Sequence, residues 1–566
     1  MQKNQEGGWG FDRALTLAIV AIVLLLSIMP MFRLLFEVAV PSNGSSGAIG
    51  KTFSSSATWT ATLHSLQVGI GGTILAVLLG TSVALLVGLT AVRGRSVFVF
   101  LYVTPLLIAP QVTALAWLQL FGPASPFLKL LGMAPALGSR NPLYSTSGII
   151  LLLGVQYGPL VFLMVRAGLR KLPRELVEAG SSSGAGRLTV LRTIILPLMM
   201  PSIIGAAALT FVSCVGNFGI PAFLGIPANY LVLPTLIYQK LAGGGPSVLS
   251  EVAVLSILIG VIAMTGIFAQ DYVSRRRDYR IVSTSLPAAP YELGRFRLVI
   301  ELLMLLVVVA VLGLPVLGLV LTSLVSAYGA PLTLQTITLA NYGFVLFEHG
   351  ATGRAFINSF GLSLTTAFFA VMIAVPLAYM VTWRQSWWTR ILNLSIELPY
   401  ALPGVVLAIA SLLLFLKPLP VIGIQIYNTI WIILYAYLAR FLVLALRPTV
   451  SGLHQIDRSL EEAAQVAGAG LITRMRTIIF PLVAPATIAG GVLIFLTAFS
   501  ELTVSALLWA SGSETIGVVI FSFEQGGDSN YAAATSTLTV AMTFTLMLLT
   551  NLFARHLPNG VLPWRD

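Results

Sequence analysis

LPRELVEAGSSSGAGRLTVLRTIILPLMMP, from Leu172 to Pro201, returns in altered form as IDRSLEEAAQVAGAGLITRMRTIIFPLVAP, from Ile456 to Pro485. The two stretches align without a gap, 284 residues apart. Glu178 falls on Glu462, Ala179 on Ala463, Gly184 on Gly468 and Arg192 on Arg476. Pro197 and Pro201 fall on Pro481 and Pro485. The match runs on in both directions, Gly168-Leu169 with Gly452-Leu453 and Phe211 with Phe495. Further upstream the offset drifts, as changed loop lengths require. His64-Ser65-Leu66 there corresponds to Asn358-Ser359-Phe360, and Ala109-Pro110 to Leu402-Pro403. This is an internal repeat, and it precedes any fold assignment.

What surrounds the repeat is apolar. The chain is 57% hydrophobic and 9% charged, where a soluble domain carries about 25% charged residues. A bilayer is the natural solvent for it, and a crossing helix needs ~20 apolar residues. Twelve runs qualify, near residues 14–36, 63–91, 97–121, 146–169, 190–215, 248–272, 297–323, 357–383, 389–417, 425–447, 478–508 and 533–554. The first, after Lys3 and Arg13, is longer than a signal-peptide core and has no A-x-A-like site behind it. It reads as a retained span.

A net charge of +12 suggests nucleic acid in a soluble chain. Here the basic residues lie between apolar runs, so topology accounts for them, and lipid, not nucleic acid, is the expected partner. With the N-terminus inside, only Arg33, Lys51, Lys129, Arg140, Lys240, Arg354 and Lys417 of the 32 Lys and Arg residues fall outside. That bias places both termini in the cytoplasm. Residues 275–297 hold a basic cluster and then SLPAAPYELG, and read as a cytoplasmic linker. It separates a first repeat, 1–274, from a second, 298–566, each of six spans. The duplicated loops, near 172–201 and 456–485, follow the fourth span of each half. Six spans lie between them, so both face the same side. The expected fold is an all-α membrane protein of 12 transmembrane helices, two parallel six-helix repeats about a pseudo-two-fold axis along the membrane normal.

Each loop reads as a short helix, a Gly break and a second helix. Leu176, Ala179 and Ala185 form a small apolar face. Gly184 and Gly468 permit a positive φ, and the paired prolines shape the entry to the next span. A loop that only sets topology needs positive charge. It does not need a matched glutamate in water, whereas a docking surface does.

The segments EAGSSSGAGRLTVLRTIILP and EAAQVAGAGLITRMRTIIFP resemble the EAA loop of ATP-binding-cassette importer permeases, the first departing only in having Gly180 where the second has Ala464. The resemblance implies a type I importer permease in a bacterial inner membrane. It implies that each loop forms a coupling helix docked in a groove of an ATPase subunit. Glu178, Ala179, Gly184 and Arg192, with Glu462, Ala463, Gly468 and Arg476, would then carry the coupling. The implied partners are two copies of the ATPase and a periplasmic solute-binding protein. No G-x-x-x-x-G-K-[ST] phosphate loop occurs in the chain. It is therefore expected to bind no cofactor and to be no enzyme itself, ATP and Mg sitting on the partner. Two halves in one chain, and FSELTVSALL from Phe499, resemble the ferric-iron permeases. 2-Aminoethylphosphonate, thiamine and polyamine permeases are the alternatives, and an ion-driven secondary transporter is the rival of another class.

Other chemistry is sparse. Cys214 stands alone, and His64, His349, His454 and His556 show no metal-ligand spacing, so no convergent enzymatic set appears. Glu501 and its repeat partner Asn217 are candidates for the translocation path. A polar group at such depth faces a cavity, bonds a neighbouring helix or caps a broken one. Glu397 and Arg440 read as interhelical or snorkelling charges near cytoplasmic ends. GNFGIPAFLGIPANY, from Gly216 to Tyr230, interrupts a helix as a gate or an outside loop. Trp59, Trp117, Trp387, Trp388 and Trp431 read as an interfacial belt.

Overall fold

Without water, a backbone must satisfy its own N–H and C=O groups, and a helix does so within one segment. The computed structural model describes residues 14, 16–40, 47–136, 138–245, 248–275, 291–384, 386–419 and 423–553. Among these, regular structure is helical apart from two isolated bridge pairs. Ten helices are long and apolar enough to cross a membrane, and two bent pairs bring the number to 12 if each counts as one span.

The first half contains α1 (Thr16–Ala39), α2 (Ser56–Leu89), the bent pair α3 (Arg95–Leu107) and α4 (Pro110–Phe121), and α5 (Thr146–Leu169). Then come the short α6 (Arg174–Ser182), α7 (Arg187–Val215), the short α8 (Gly219–Leu224) and α9 (Leu233–Gly243), and α10 (Leu249–Arg275). The second half repeats the series: α11 (Gly294–Ser323), α12 (Gly350–Trp383), α13 (Trp387–Ala401), α14 (Gly404–Phe415) and α15 (Ile430–Leu453). It ends with α16 (Ser459–Val466), α17 (Leu471–Phe499), α18 (Ser505–Leu508), α19 (Ile516–Gly526) and α20 (Ser529–Phe553). Even a wide turn of π type recurs in register, at Leu191–Ile195 of α7 and Met475–Ile479 of α17.

One expectation is sharpened and two need correction. The runs at 97–121 and 389–417 are not straight spans, since they bend by 101° and 108°. Pro110 and Pro403 force the residue before them out of the helical region. Ala109 (φ −61°, ψ 141°) and Leu402 (φ −86°, ψ 149°) are accordingly extended. The run at 478–508 stops as a helix at Phe499, so Glu501 lies beyond it. Trp117 is only 7% exposed and packs in the core, while Trp59, Trp387, Trp388 and Trp431 are exposed. Most of the expected linker, 276–290, lies outside the described residues. Its end docks on α2, the Tyr291 amide donating to the Leu89 carbonyl at 2.7 Å and the Ala91 amide to the Tyr291 carbonyl at 3.1 Å.

The halves exchange their first helices. α1 packs on α14, and α11 packs on α4. Gly318 of α11 permits this, since a Cβ there would sit 3.1 Å from Leu120 Cα. Within the first half, α2 and α5 pack backbone to backbone, as small residues allow in lipid. A Cβ on Gly80 would lie 2.4 Å from the Gly158 carbonyl oxygen and 2.6 Å from Val161 Cβ. We expect Gly80→Val to destabilise the chain by about 1–3 kcal/mol, the usual range for overpacking, seen as a lowered unfolding midpoint in detergent.

Candidate functional site

The duplicated loops fold alike. Each short helix, α6 and α16, ends at a glycine in the left-handed region, Gly184 at φ +81° and Gly468 at φ +84°. The turn closes when the Ala185 amide donates to the Gly180 carbonyl at 3.2 Å and the Ala469 amide to the Ala464 carbonyl at 2.9 Å. This is the usual helix stop, for which glycine pays no Cβ penalty. The starts differ. Pro173 precedes α6, whereas the Ser459 amide donates to Asp457 Oδ1 at 2.9 Å before α16. That amide holds the Asp457 carboxyl below the usual carboxylate range. The charged form is therefore the capping form, and its contribution is lost as pH falls through the lowered value.

Glu178, Ala179, Gly184 and Arg192 are exposed, and so are Glu462, Ala463, Gly468 and Arg476. Leu176 and Leu460, again repeat partners, are 42% and 50% exposed. The expected apolar face is thus open at Leu176 and Ala179, whereas Ala185 turns inward, partly buried against an apolar cluster. Glu462 pairs with Arg458 one turn back at 3.2 Å. A leucine beside a glutamate on an exposed, sharply ended helix is a shape suited to a groove on another protein.

Deeper in the bundle, α7 and α17 end and the chain turns into α8 and α18. The Ile220 amide donates to Asn217 Oδ1 at 2.9 Å. At the equivalent place the Val504 amide donates to Glu501 Oε1 at 2.9 Å and the Ser505 amide to Oε2 at 3.2 Å. Asn217 and Glu501 are therefore caps on interrupted helices. Each also ties a second helix. The Asn217 side-chain amide donates to the Tyr157 hydroxyl at 2.8 Å, and Arg440 Nη1 donates to Glu501 Oε1 at 3.0 Å.

Arg440 is thus not an end-of-helix charge. It is the eleventh residue of the 24-residue α15, about 15 Å along the axis at 1.5 Å per residue. Its repeat partner is Gln156, which donates to the Pro105 and Ile108 carbonyls, at 3.0 and 3.1 Å, in the break between α3 and α4. Arg440 lies against the matching break, where a Cβ on Gly404 would come 2.1 Å from Nη1. Glu397 does lie where expected, in an interhelical pair with Arg447.

The breaks meet across the halves. Gln111 Nε2 donates to the Ser500 carbonyl at 2.7 Å, and a Cβ on Gly216 would lie 3.0 Å from Pro403 Cβ. The chain then re-enters through α9 and α19, whose first amides are caught by α2 and α12. Leu233 N donates to Ser65 Oγ at 2.8 Å, and Ile516 N to Ser359 Oγ at 2.9 Å. His64 and Asn358 hold the preceding segments, through the Leu231 carbonyl at 2.9 Å and the Glu514 carbonyl at 3.0 Å. GNFGIPAFLGIPANY therefore does interrupt a helix, and its counterpart after Glu501 does the same.

The family model described as "Binding-protein-dependent transport system inner membrane component" matches the chain twice, over residues 72–279 and 368–562. The chain belongs to this family of ABC transporter permeases. The permease is 26% identical over 480 residues to the probable ABC transporter permease protein y4fN of Sinorhizobium fredii, covering 83% of each chain. It is 25% identical over 474 residues to the Fe(3+)-transport system permease protein FbpB 2 of Haemophilus influenzae, covering 82% of this chain and 83% of that one. A 2-aminoethylphosphonate transport system permease protein, PhnV of Salmonella typhi, is 26% identical over 214 residues, 38% of this chain and 80% of its own length.

The permease holds one polar cluster that its sequence does not announce. Glu461, next to the exposed Glu462, is buried and accepts from Arg474 and from the Tyr379 hydroxyl, the latter at 3.0 Å. The first half has Val177 and Val190 at the equivalent positions, both buried in an apolar cluster. Comparing the copies for paired departures, apolar with apolar against acid with base, is the signal that finds such a cluster.

The central pair generates a prediction. Arg440→Leu leaves Glu501 buried without its cation, a change that costs about 3–5 kcal/mol in full burial. Arg440 is partly exposed, so we expect about half that. The double variant Arg440→Gln with Glu501→Asn, which installs the first half's own residues, should recover most of the loss. Unfolding midpoints of the three proteins in one detergent check this.

Proposed function

We propose that this permease carries a solute across a bacterial inner membrane, driven by two ATPase subunits docked at α6 and α16. The observation that carries this reading is the exposed coupling segment built twice in one conformation, ended both times by a glycine at positive φ. Both termini and both loops are assigned to the cytoplasm, and the segment 275–297 to a linker between repeats 1–274 and 298–566. ATP and Mg belong to the partner, and this chain acts as a transport subunit. Closure of the ATPase pair would draw α6 and α16 together and rock the halves between inward-open and outward-open states, a two-state switch biased by nucleotide. A periplasmic binding protein would present the solute to the opposite face.

The solute we assign is ferric iron, supported by the likeness to the Haemophilus influenzae permease over most of both chains. 2-Aminoethylphosphonate is the second reading, favoured by the match to PhnV over nearly one repeat.

A residue with a Cβ in the left-handed region costs roughly 1–2 kcal/mol. The double variant Gly184→Val with Gly468→Val should therefore distort both helix ends while the spans still insert. In proteoliposomes carrying the ATPase we expect ATP hydrolysis to persist and uptake to fall roughly tenfold, each 1.4 kcal/mol being worth a factor of ten in an equilibrium. Normal uptake by this variant would refute the coupling role. The solute is checked separately: labelled ferric iron should accumulate only with binding protein, ATPase and ATP present. Accumulation with the ATPase deleted would point instead to an ion-driven carrier, and accumulation of the phosphonate alone would select the second reading.

A further inference from the structure

We propose that Glu461, Arg474 and Tyr379 form a clamp that positions the second coupling helix, so that force applied to α16 reaches α12 and α17 together. The proposal rests on the coupling role just assigned to α16.

Three elements converge on one oxygen. Glu461 lies in the first turn of α16, and its Oε1 accepts from Arg474 Nη1 and from the Tyr379 hydroxyl. Arg474 is the fourth residue of α17, directly before the wide turn Met475–Ile479. Tyr379 lies one turn before the end of α12. Gln465, one turn further along α16, accepts from the same Arg474 nitrogen at 3.4 Å. The Glu461 and Arg474 side chains are 5% and 8% exposed. Neighbouring residues point the other way: Glu462 and Ala463 are exposed on the docking face. One short helix thus presents Glu462 outward and anchors itself inward through Glu461.

A charge pair out of water is held in a narrow geometry, because separating the partners leaves each one buried and uncompensated. Apolar contacts tolerate sliding far better, since the hydrophobic effect has no direction. The clamp therefore resists relative motion of α16, α12 and α17.

The first half shows what the same backbone accepts without the clamp. Val177 and Val190 stand where Glu461 and Arg474 stand. Ser65 and Ser359, with equivalent bonds, register the two 34-residue helices α2 and α12 and place Leu85 opposite Tyr379. Val177 and Val190 are buried, and Leu85 packs against their cluster. This trio is a ready replacement that fits the fold.

The test uses the full transporter, permease with ATPase and binding protein, in proteoliposomes. The single variants are Glu461→Val and Arg474→Val, and the triple variant is Glu461→Val with Arg474→Val and Tyr379→Leu. Two quantities are read: ATP hydrolysed per solute transported, and amide hydrogen exchange over residues 459–474. Each single variant should raise the ratio about threefold or more and speed the exchange, because one buried charge is left unpaired. The triple variant should slow the exchange to near its original rate, because no buried charge is left unpaired, while the ratio stays raised, because apolar contacts let α16 slide. A merely structural role would lower the amount of assembled transporter and leave the ratio unchanged. Singles with an unaltered ratio, or a triple whose ratio returns to the original value, would overturn the clamp. Should the singles fail to assemble, the triple decides: slow exchange with a raised ratio supports the clamp, and an original ratio or failure to assemble overturns it. If the glycine variants at 184 and 468 also leave uptake normal, the coupling reading has failed. If those variants uncouple and the clamp singles do not, only the clamp has.

Discussion

An amide or carbonyl that leaves a helix inside an apolar bundle has no water to turn to, and this constraint organises the molecule. An unsatisfied group there costs several kcal/mol. The chain nonetheless leaves the helix at Ala109, at Leu402, after Val215 and after Phe499. A side chain waits at each place. Gln156 caps the carbonyls of the first break, and Arg440 lies on Gly404 at the second. Asn217 and Glu501 take up the amides of α8 and α18, and Ser65 and Ser359 those of α9 and α19. The polar residues at depth follow from the breaks. The breaks in turn place non-helical backbone from both halves at the centre of the molecule, where backbone of that kind is tolerated only if protein buries it or a cavity hydrates it.

The halves are one backbone built with two sets of side chains. At two places in the interior they differ in pairs. Gln156 and Asn217 become Arg440 and Glu501, and Val177 and Val190 become Glu461 and Arg474. A single buried charge is too costly to keep, whereas a buried pair comes close to breaking even with a neutral or apolar one. Among exposed positions, Glu178 and Glu462, Ala179 and Ala463, and Gly184 and Gly468 are identical across the copies. The first half has its own buried cation, Arg166, where the second has Val450. The copies have therefore diverged inside while keeping a glutamate, an alanine and a glycine at matched exposed positions.

Much of this was legible in the repeat. The gapless match at 284 residues correctly placed both short helices, both glycine stops and the entry to α7 and α17. The correspondence of His64-Ser65 with Asn358-Ser359 also had a structural meaning, the capture of a re-entrant backbone. The bends at Ala109 and Leu402 were harder to read. A proline within an apolar run marks a kink, a break or a helix start equally well. A lone cation on an apolar helix, such as Arg440, reads as interhelical or as snorkelling near an end, and only its partner, 61 residues on, decides for the interhelical pair at depth. Glu461 escaped notice because Glu-Glu in a charged loop looks solvated.

The sequence by itself determined the solvent, the duplication and the outward face of the duplicated loops. Each rests on composition or on local periodicity, which one dimension preserves. Only the tertiary structure decided which polar residues are caps, which are pairs and which helix turns back. Those roles depend on what a side chain meets across the bundle: Glu501 meets Arg440, Glu461 meets Arg474 and Tyr379, and neighbouring Glu462 faces outward and pairs with Arg458 on its own helix turn. Burial decides between adjacent glutamates, and burial belongs to the packed chain.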